Sequence, residues 1–183
     1  MDETPHCEHG VFLSVLDIGL LIRGNAGIGK STLALELIER GHRFISDDVV
    51  HFTQAKDLNQ NRIPDQIMGK SPHMLKDLLA VRDLGVLNIS DLFSADICLP
   101  QYPLELIVEL VRDECVLKPT LTGTPSHLTI LNHRIPVQLI HAHPKRNLSV
   151  IVETAIKNYI LYNHGQDAGT LLEKRQQYLF KTS

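Results

Sequence analysis

Apolar residues along this chain gather into short runs in some stretches and into helical stripes in others, and that contrast sets the expected order of elements. The run Val11–Val15 reads as a strand, Asp17-Ile18-Gly19 as a tight turn, and Leu20-Leu21-Ile22 as the next buried strand, which leads straight into a glycine-rich stretch. From Ser31 onward Leu33, Ala34, Leu37 and Ile38 share one helical stripe, Glu36, Glu39 and Arg40 fall off it, and Gly41 supplies a stop. Arg43-Phe44-Ile45-Ser46 then forms a strand that delivers Asp47 and Asp48 at its carboxyl end, and residues 49–53 extend it or start a neighbour. Residues 56–65 are polar and aperiodic and read as an exposed loop. Ser71 as cap, Pro72 at the first position and Met74, Leu75, Leu78 and Leu79 at helical spacing predict a helix ending near Val81, closed by Arg82-Asp83-Leu84-Gly85. Residues 86–89, 104–111, 128–131 and 135–141 are runs bounded by Pro, Gly, Asp and Asn, hence strands. Ile151, Ala155, Asn158, Tyr159 and Tyr162 trace one helical face, and Ala168, Leu171, Leu172, Tyr178 and Leu179 trace a second. The Leu and Ile stripes read as core, giving an α/β chain.

The 183 residues suit one domain built around one sheet, so a single unit over 1–183 is expected, with no internal repeat or linker. A hydrophobic fraction of 43% and a formal net charge of -3 describe a globular protein without the basic footprint of nucleic-acid binding. No stretch reaches the roughly 20 apolar residues of a membrane span. The first residues carry Asp2, Glu3 and Glu8 where a secretory signal needs basic residues, so a cytoplasmic location is expected. Cys7, Cys98 and Cys115 are scattered without CxxC spacing, which fits reduced thiols. The clusters His6-Cys7-Glu8-His9 and His141-Ala142-His143 lack the second half that a structural zinc site requires.

Gly24-Asn25-Ala26-Gly27-Ile28-Gly29-Lys30-Ser31 satisfies G-x-x-x-x-G-K-[ST] in full, between a predicted strand and a predicted helix. Glycines there let successive N–H groups turn inward as an anion nest, and the helix start adds its partial positive charge. Lys30 is the residue that reaches the β- and γ-phosphates, Ser31 Oγ is a ligand for Mg²⁺, and Thr32 adds a further phosphate contact. Asp47 and Asp48 follow Lys30 by 17 and 18 residues, enough for one helix and a return strand to bring them back to the phosphates. Adjacent residues on a strand face opposite ways, so one carboxylate serves the metal and the other approaches an acceptor hydroxyl as base.

With these residues in hand, the chain resembles the catalytic domain of the HPr kinase/phosphorylase family. His9-Gly10-Val11, Gly27-Ile28-Gly29-Lys30-Ser31, Leu35-Glu36-Leu37-Ile38-Glu39-Arg40-Gly41-His42-Arg43, Asp47-Asp48, Arg82-x-Leu84-Gly85 and Arg146-Asn147-Leu148 occur in the family's order over nearly the whole chain. The separate N-terminal domain of longer members is missing, so a short form is expected. The resemblance implies a P-loop kinase fold similar to phosphoenolpyruvate carboxykinase, with a central mixed sheet, flanking helices and two C-terminal helices. It implies a homohexamer that uses ATP and Mg²⁺, or pyrophosphate, to phosphorylate a serine of the phosphocarrier HPr in regulating carbon metabolism, and that removes this group with phosphate. It further implies that Asp47 is the base, that Asp48 supports the metal, that His9 lies close to the phosphates, and that Arg82 and Arg146 belong to the site. The chain departs from the family pattern at Ala80, where a glutamate is usual, at Ala26, where serine is usual, and near Thr120, where an arginine is usual. A kinase for another acceptor, and a nucleotide-binding regulator with weak transfer, therefore stand beside the protein-serine kinase.

Overall fold

A computed structural model describes residues 5–55, 66–112 and 126–181. The expected loop at 56–65 and the position near Thr120 lie outside the described residues. Elements run β1 (His6–His9), β2 (Val11–Val15), β3 (Ile18–Gly24), α1 (Lys30–Glu39), β4 (Arg43–Ser46), β5 (Val49–Gln54), β6 (Ile67–Lys70), β7 (Leu78–Val81), β8 (Gly85–Asn88) and α2 (Ile89–Leu92). They continue with β9 (Tyr102–Pro103), β10 (Leu106–Val111), β11 (Ser126–Ile130), β12 (His133–His141), α3 (Leu148–Asn163) and α4 (Ala168–Lys181).

A six-stranded sheet in the order β11-β12-β10-β3-β2-β4 forms the centre. β3, β10 and β12 run parallel, while β2 is antiparallel to β3 and to β4, and β11 to β12, so the sheet is mixed as expected. A smaller antiparallel sheet, β1-β5-β6-β9, lies apart from it in hydrogen bonding, and β7 and β8 form a separate hairpin.

The central strands read as unbroken apolar runs because both their faces are covered. Val11, Leu13, Val15, Leu20, Ile22, Leu106, Val108 and Leu110 pack with Leu33, Leu37 and Ile38 of α1 and Val152 and Ile156 of α3. The alternate residues Phe12, Leu21 and Ile107 pack instead with Val50, Phe52 and Ile67 of the small sheet. Phe12 and Phe52 meet edge to face, with ring centroids 5.6 Å apart. The result is three layers, helices on large sheet on small sheet.

Three expectations are corrected. The helix over 72–81 is instead a 3₁₀ turn at His73–Leu75 followed by strand β7, because Asp77 takes φ 61° and Leu79 and Val81 alternate inward with period two. Met74, counted on the helical stripe, is 87% exposed. The stripe on α4 is likewise not core, since Leu171, Leu172 and Tyr178 are all exposed. The turn after β2 is made by Leu16 and Asp17, both at positive φ as a type I′ hairpin requires, with Val15 paired to Ile18. No helix among the described residues is long and apolar enough to cross a membrane.

Candidate active site

β3 sits between parallel β10 and antiparallel β2 and ends at Gly24, where the chain must turn sharply to start α1. Ile28 N donates to Asn25 O at 3.2 Å, and Leu33 N donates to Gly29 O at 2.9 Å to open the helix. Gly29 is the N-cap, held at φ 105° where a side chain would be strained. Being glycine it offers no capping oxygen, and the first turn carries no acidic residue. By contrast Asn147 caps α3 by accepting from Val150 N. The first donors of α1 thus have no side-chain cap of their own, and with the helix dipole behind them they are suited to an anion. Lys30 folds back over the loop, its Nζ donating to Gly24 O at 2.9 Å and Asn25 O at 3.3 Å.

Asp47 and Asp48 do not continue β4 with alternating faces as expected. They make the turn into β5: Val49 N donates to Asp47 O at 2.8 Å around Asp48 at φ 66°, and Ser46 Oγ closes it on Val49 O at 2.7 Å. This tight turn gives the two carboxylates unlike surroundings. Asp47 is buried, its Oδ1 accepting from Ser31 Oγ at 3.5 Å and its Oδ2 from Ala80 N at 2.9 Å. Burial pushes its carboxyl above the usual range, against the lowering effect of the Ala80 amide and Ser31. Asp48 points to solvent with 78% of its side chain exposed, beside His9, whose Nδ1 lies 3.9 Å from Asp48 Oδ1. His9 Nδ1 also bonds Asp48 O at 3.2 Å, and since a carbonyl only accepts, Nδ1 carries the proton there.

Arg146 closes a turn in which its N–H donates to His143 O at 2.9 Å, and its Nη1 donates to His141 O at 3.4 Å. It lines a cleft of about 580 Å³ with Gly27, Gly29 and Thr32 of the phosphate loop and its helix. Arg82 is exposed in the turn of the β7–β8 hairpin, whose Ala80 touches Asp47. The structure therefore brings Ser31, Asp47 and Ala80 together, folds Lys30 over the loop, and joins His9 to Asp48, with Arg146 across the cleft from the loop. Among the described residues no three His, Cys, Asp or Glu side chains gather to hold a metal.

The family model for the HPr Serine kinase C-terminal domain matches residues 4–176. This chain belongs to that family. The HPr kinase/phosphorylase of Xanthomonas campestris pv. campestris (strain B100) is 40% identical over 177 residues, covering 94% of this chain and 54% of the relative. The HPr kinase/phosphorylase of Xanthomonas oryzae pv. oryzae (strain PXO99A) gives the same figures. The chain thus spans about half the length of these curated relatives. The solved structure of the Hpr(Ser) kinase/phosphatase from Coxiella burnetii matches with a TM-score of 0.79 and 31% identity, over 91% of this chain and 98% of that one.

Within this HPr serine kinase C-terminal domain, two groups escaped sequence reasoning. The Ala80 amide was hidden because its segment carried a helical spacing. Arg23, one residue before the phosphate loop, pairs with Glu8 at 3.2 Å and Glu109 at 3.3 Å, tying β1 and β10 to β3. His6 Nε2 completes the group on Glu8 at 2.8 Å. Strand pairing sets Arg23 beside Glu109, and Glu8 reaches Arg23 from the other sheet, so no local signal could have found either pair.

Proposed function

We propose that this chain transfers the terminal phosphoryl group of ATP to a serine hydroxyl of HPr or a similar phosphocarrier protein in the cytoplasm, and runs the reverse step with phosphate to release pyrophosphate. The observation that carries this reading is the uncapped α1 N-terminus, with Ser31 on the buried Asp47 and the exposed Asp48 next to it in sequence beside His9.

Ser31 Oγ and the Asp47 carboxylate are hard oxygen donors already within 3.5 Å of each other, a donor set that suits Mg²⁺ rather than a softer metal. When bound, Mg²⁺ neutralises charge on the β- and γ-phosphates. The roles of the carboxylates then divide in the reverse of the sense that the resemblance implies. Asp47, buried against Ser31, supports the metal, and Asp48, open to solvent beside His9, takes the proton from the acceptor serine and returns it in the reverse step. Lys30 exchanges its two carbonyl bonds for a phosphate oxygen, and the N–H groups of Gly29, Lys30 and Ser31 hold the phosphates in place. Assembly as a hexamer is the accompanying expectation from the family.

The test incubates the purified chain with γ-labelled ATP, Mg²⁺ and HPr, then adds excess phosphate. Label should pass to HPr and return as pyrophosphate; ATP binding without label on any offered phosphocarrier would overturn the reading. A second reading, a nucleotide-binding regulator with weak transfer, is favoured by one observation: the group against Asp47 is the backbone of Ala80, so no second carboxylate side chain joins the metal from that position. Turnover at ordinary kinase rates removes it.

A further inference from the structure

We propose that the nucleoside half of the donor nucleotide lies in the cleft between α1 and the turn at residues 142–148, with the Glu36 carboxylate accepting from the ribose hydroxyls. The inference rests on the phosphate-loop reading above and extends it to a part of the ligand which that loop does not touch.

The cleft holds about 580 Å³, within the range of sites that enclose small organic ligands. It begins at Gly27 and Gly29, so it is continuous with the phosphate nest. It opens beyond the carboxyl ends of β3, β10 and β12, the three parallel strands, which is where open α/β sheets take their ligands. Its α1 wall is Thr32, Leu33 and Glu36, and its opposite wall includes Ala142, Pro144 and Arg146. Ala142 and Pro144 give a base apolar surface, and the Arg146 guanidinium can stack on its face.

Glu36 is the one carboxylate among the described residues lining this cleft. A negative group there repels phosphate and is useful to a ligand only through donors, and ribose hydroxyls are the donors a nucleotide carries next to its phosphates. Position fits as well. Glu36 follows Thr32 by one turn of α1, about 6 Å along the axis, so the two line the same side of the cleft in succession away from the loop. Arg40, the cation one turn further on, gives its guanidinium hydrogen bonds to Glu153 at 2.6 Å rather than to Glu36.

Calorimetric titration at fixed Mg²⁺ compares ATP, 2′,3′-dideoxy-ATP and inorganic tripolyphosphate on the unaltered chain and on Glu36→Gln. The expected result is that Glu36→Gln weakens ATP about tenfold, the scale of one hydrogen bond to a charged group. Tripolyphosphate should bind both proteins equally, and the dideoxy nucleotide should bind both equally and more weakly than ATP binds the unaltered chain. Equal weakening of ATP and tripolyphosphate by the substitution, or dideoxy-ATP as tight as ATP, overturns the subsite while leaving the phosphate loop intact. Binding of neither ATP nor tripolyphosphate to the unaltered chain overturns the phosphate-loop reading and this inference with it.

Discussion

Replacing Glu153 by Gln should loosen the clamp that fixes the far end of the phosphate-loop helix. Arg40, at the end of α1, donates through Nε and Nη2 to the two carboxylate oxygens of Glu153 on α3, each at 2.6 Å, and His42 Nε2 reaches Oε1 at 2.9 Å. The Arg40 hydrogen bonds, joined by His42, hold the Glu153 carboxyl down at about 2, against an opposing effect of burial. A depression of that size corresponds to at most about 3 kcal/mol of stability at pH 7. Because the Arg40 side chain is 43% exposed, solvent screening reduces this to about 1–2 kcal/mol. For a chain of this length that is a fall in Tm of roughly 2–8 °C, read by calorimetry. The sign of the pH dependence follows from the lowered carboxyl. The contribution is complete above the unfolded value of about 4.5 and disappears as pH falls towards 2, so the gap between unaltered chain and Glu153→Gln should hold from pH 8 to 5 and close below that. A gap below about 0.5 kcal/mol at pH 7, or one that persists undiminished to pH 3, would refute the reasoning.

Asp47→Asn should raise the Mg²⁺ concentration needed for half-maximal transfer while leaving Tm unchanged or higher, since burial already disfavours the charged carboxylate. Asp48→Asn should instead lower kcat with the Mg²⁺ requirement unaltered, as initial rates across a Mg²⁺ series will show. Gly19→Ala places a Cβ 1.6 Å from Pro103 O, so it should cost about 3 kcal/mol in urea unfolding or abolish soluble expression. Ala80→Glu puts a carboxylate on the residue whose amide bonds Asp47 and should tighten Mg²⁺ binding by about tenfold in a metal titration.

Strands such as β2 and β3 were legible because burial on both faces makes them continuous apolar runs, although only the folded chain assigns Leu13 to the helical layer and Phe12 to the small sheet. The glycine-rich loop was legible because its signal is local: the eight consecutive residues Gly24 to Ser31 lead from β3 into α1. Leu75 and Leu79 satisfied a helical spacing by coincidence; what decides that segment is the cross-strand pairing of Leu79 with Leu87, a non-local fact. The same holds for Ala80, whose amide reaches Asp47 across 33 positions of sequence. Asp47 and Asp48 were found as a pair, but their division into a buried and an open carboxylate depends on the turn at Asp48, which neighbouring residue types do not signal. On α4 the amphipathic stripe was real and its burial was not, because periodicity reports a face and not what covers it.

The most direct measurement of the central claim is mass-spectrometric mapping of HPr after incubation with ATP, Mg²⁺ and either the unaltered chain or Lys30→Ala. One phosphate on a single serine with the unaltered chain, and none with Lys30→Ala, is the result the account predicts. Phosphate that appears undiminished with Lys30→Ala, or that is absent with a chain shown to bind ATP, would contradict it.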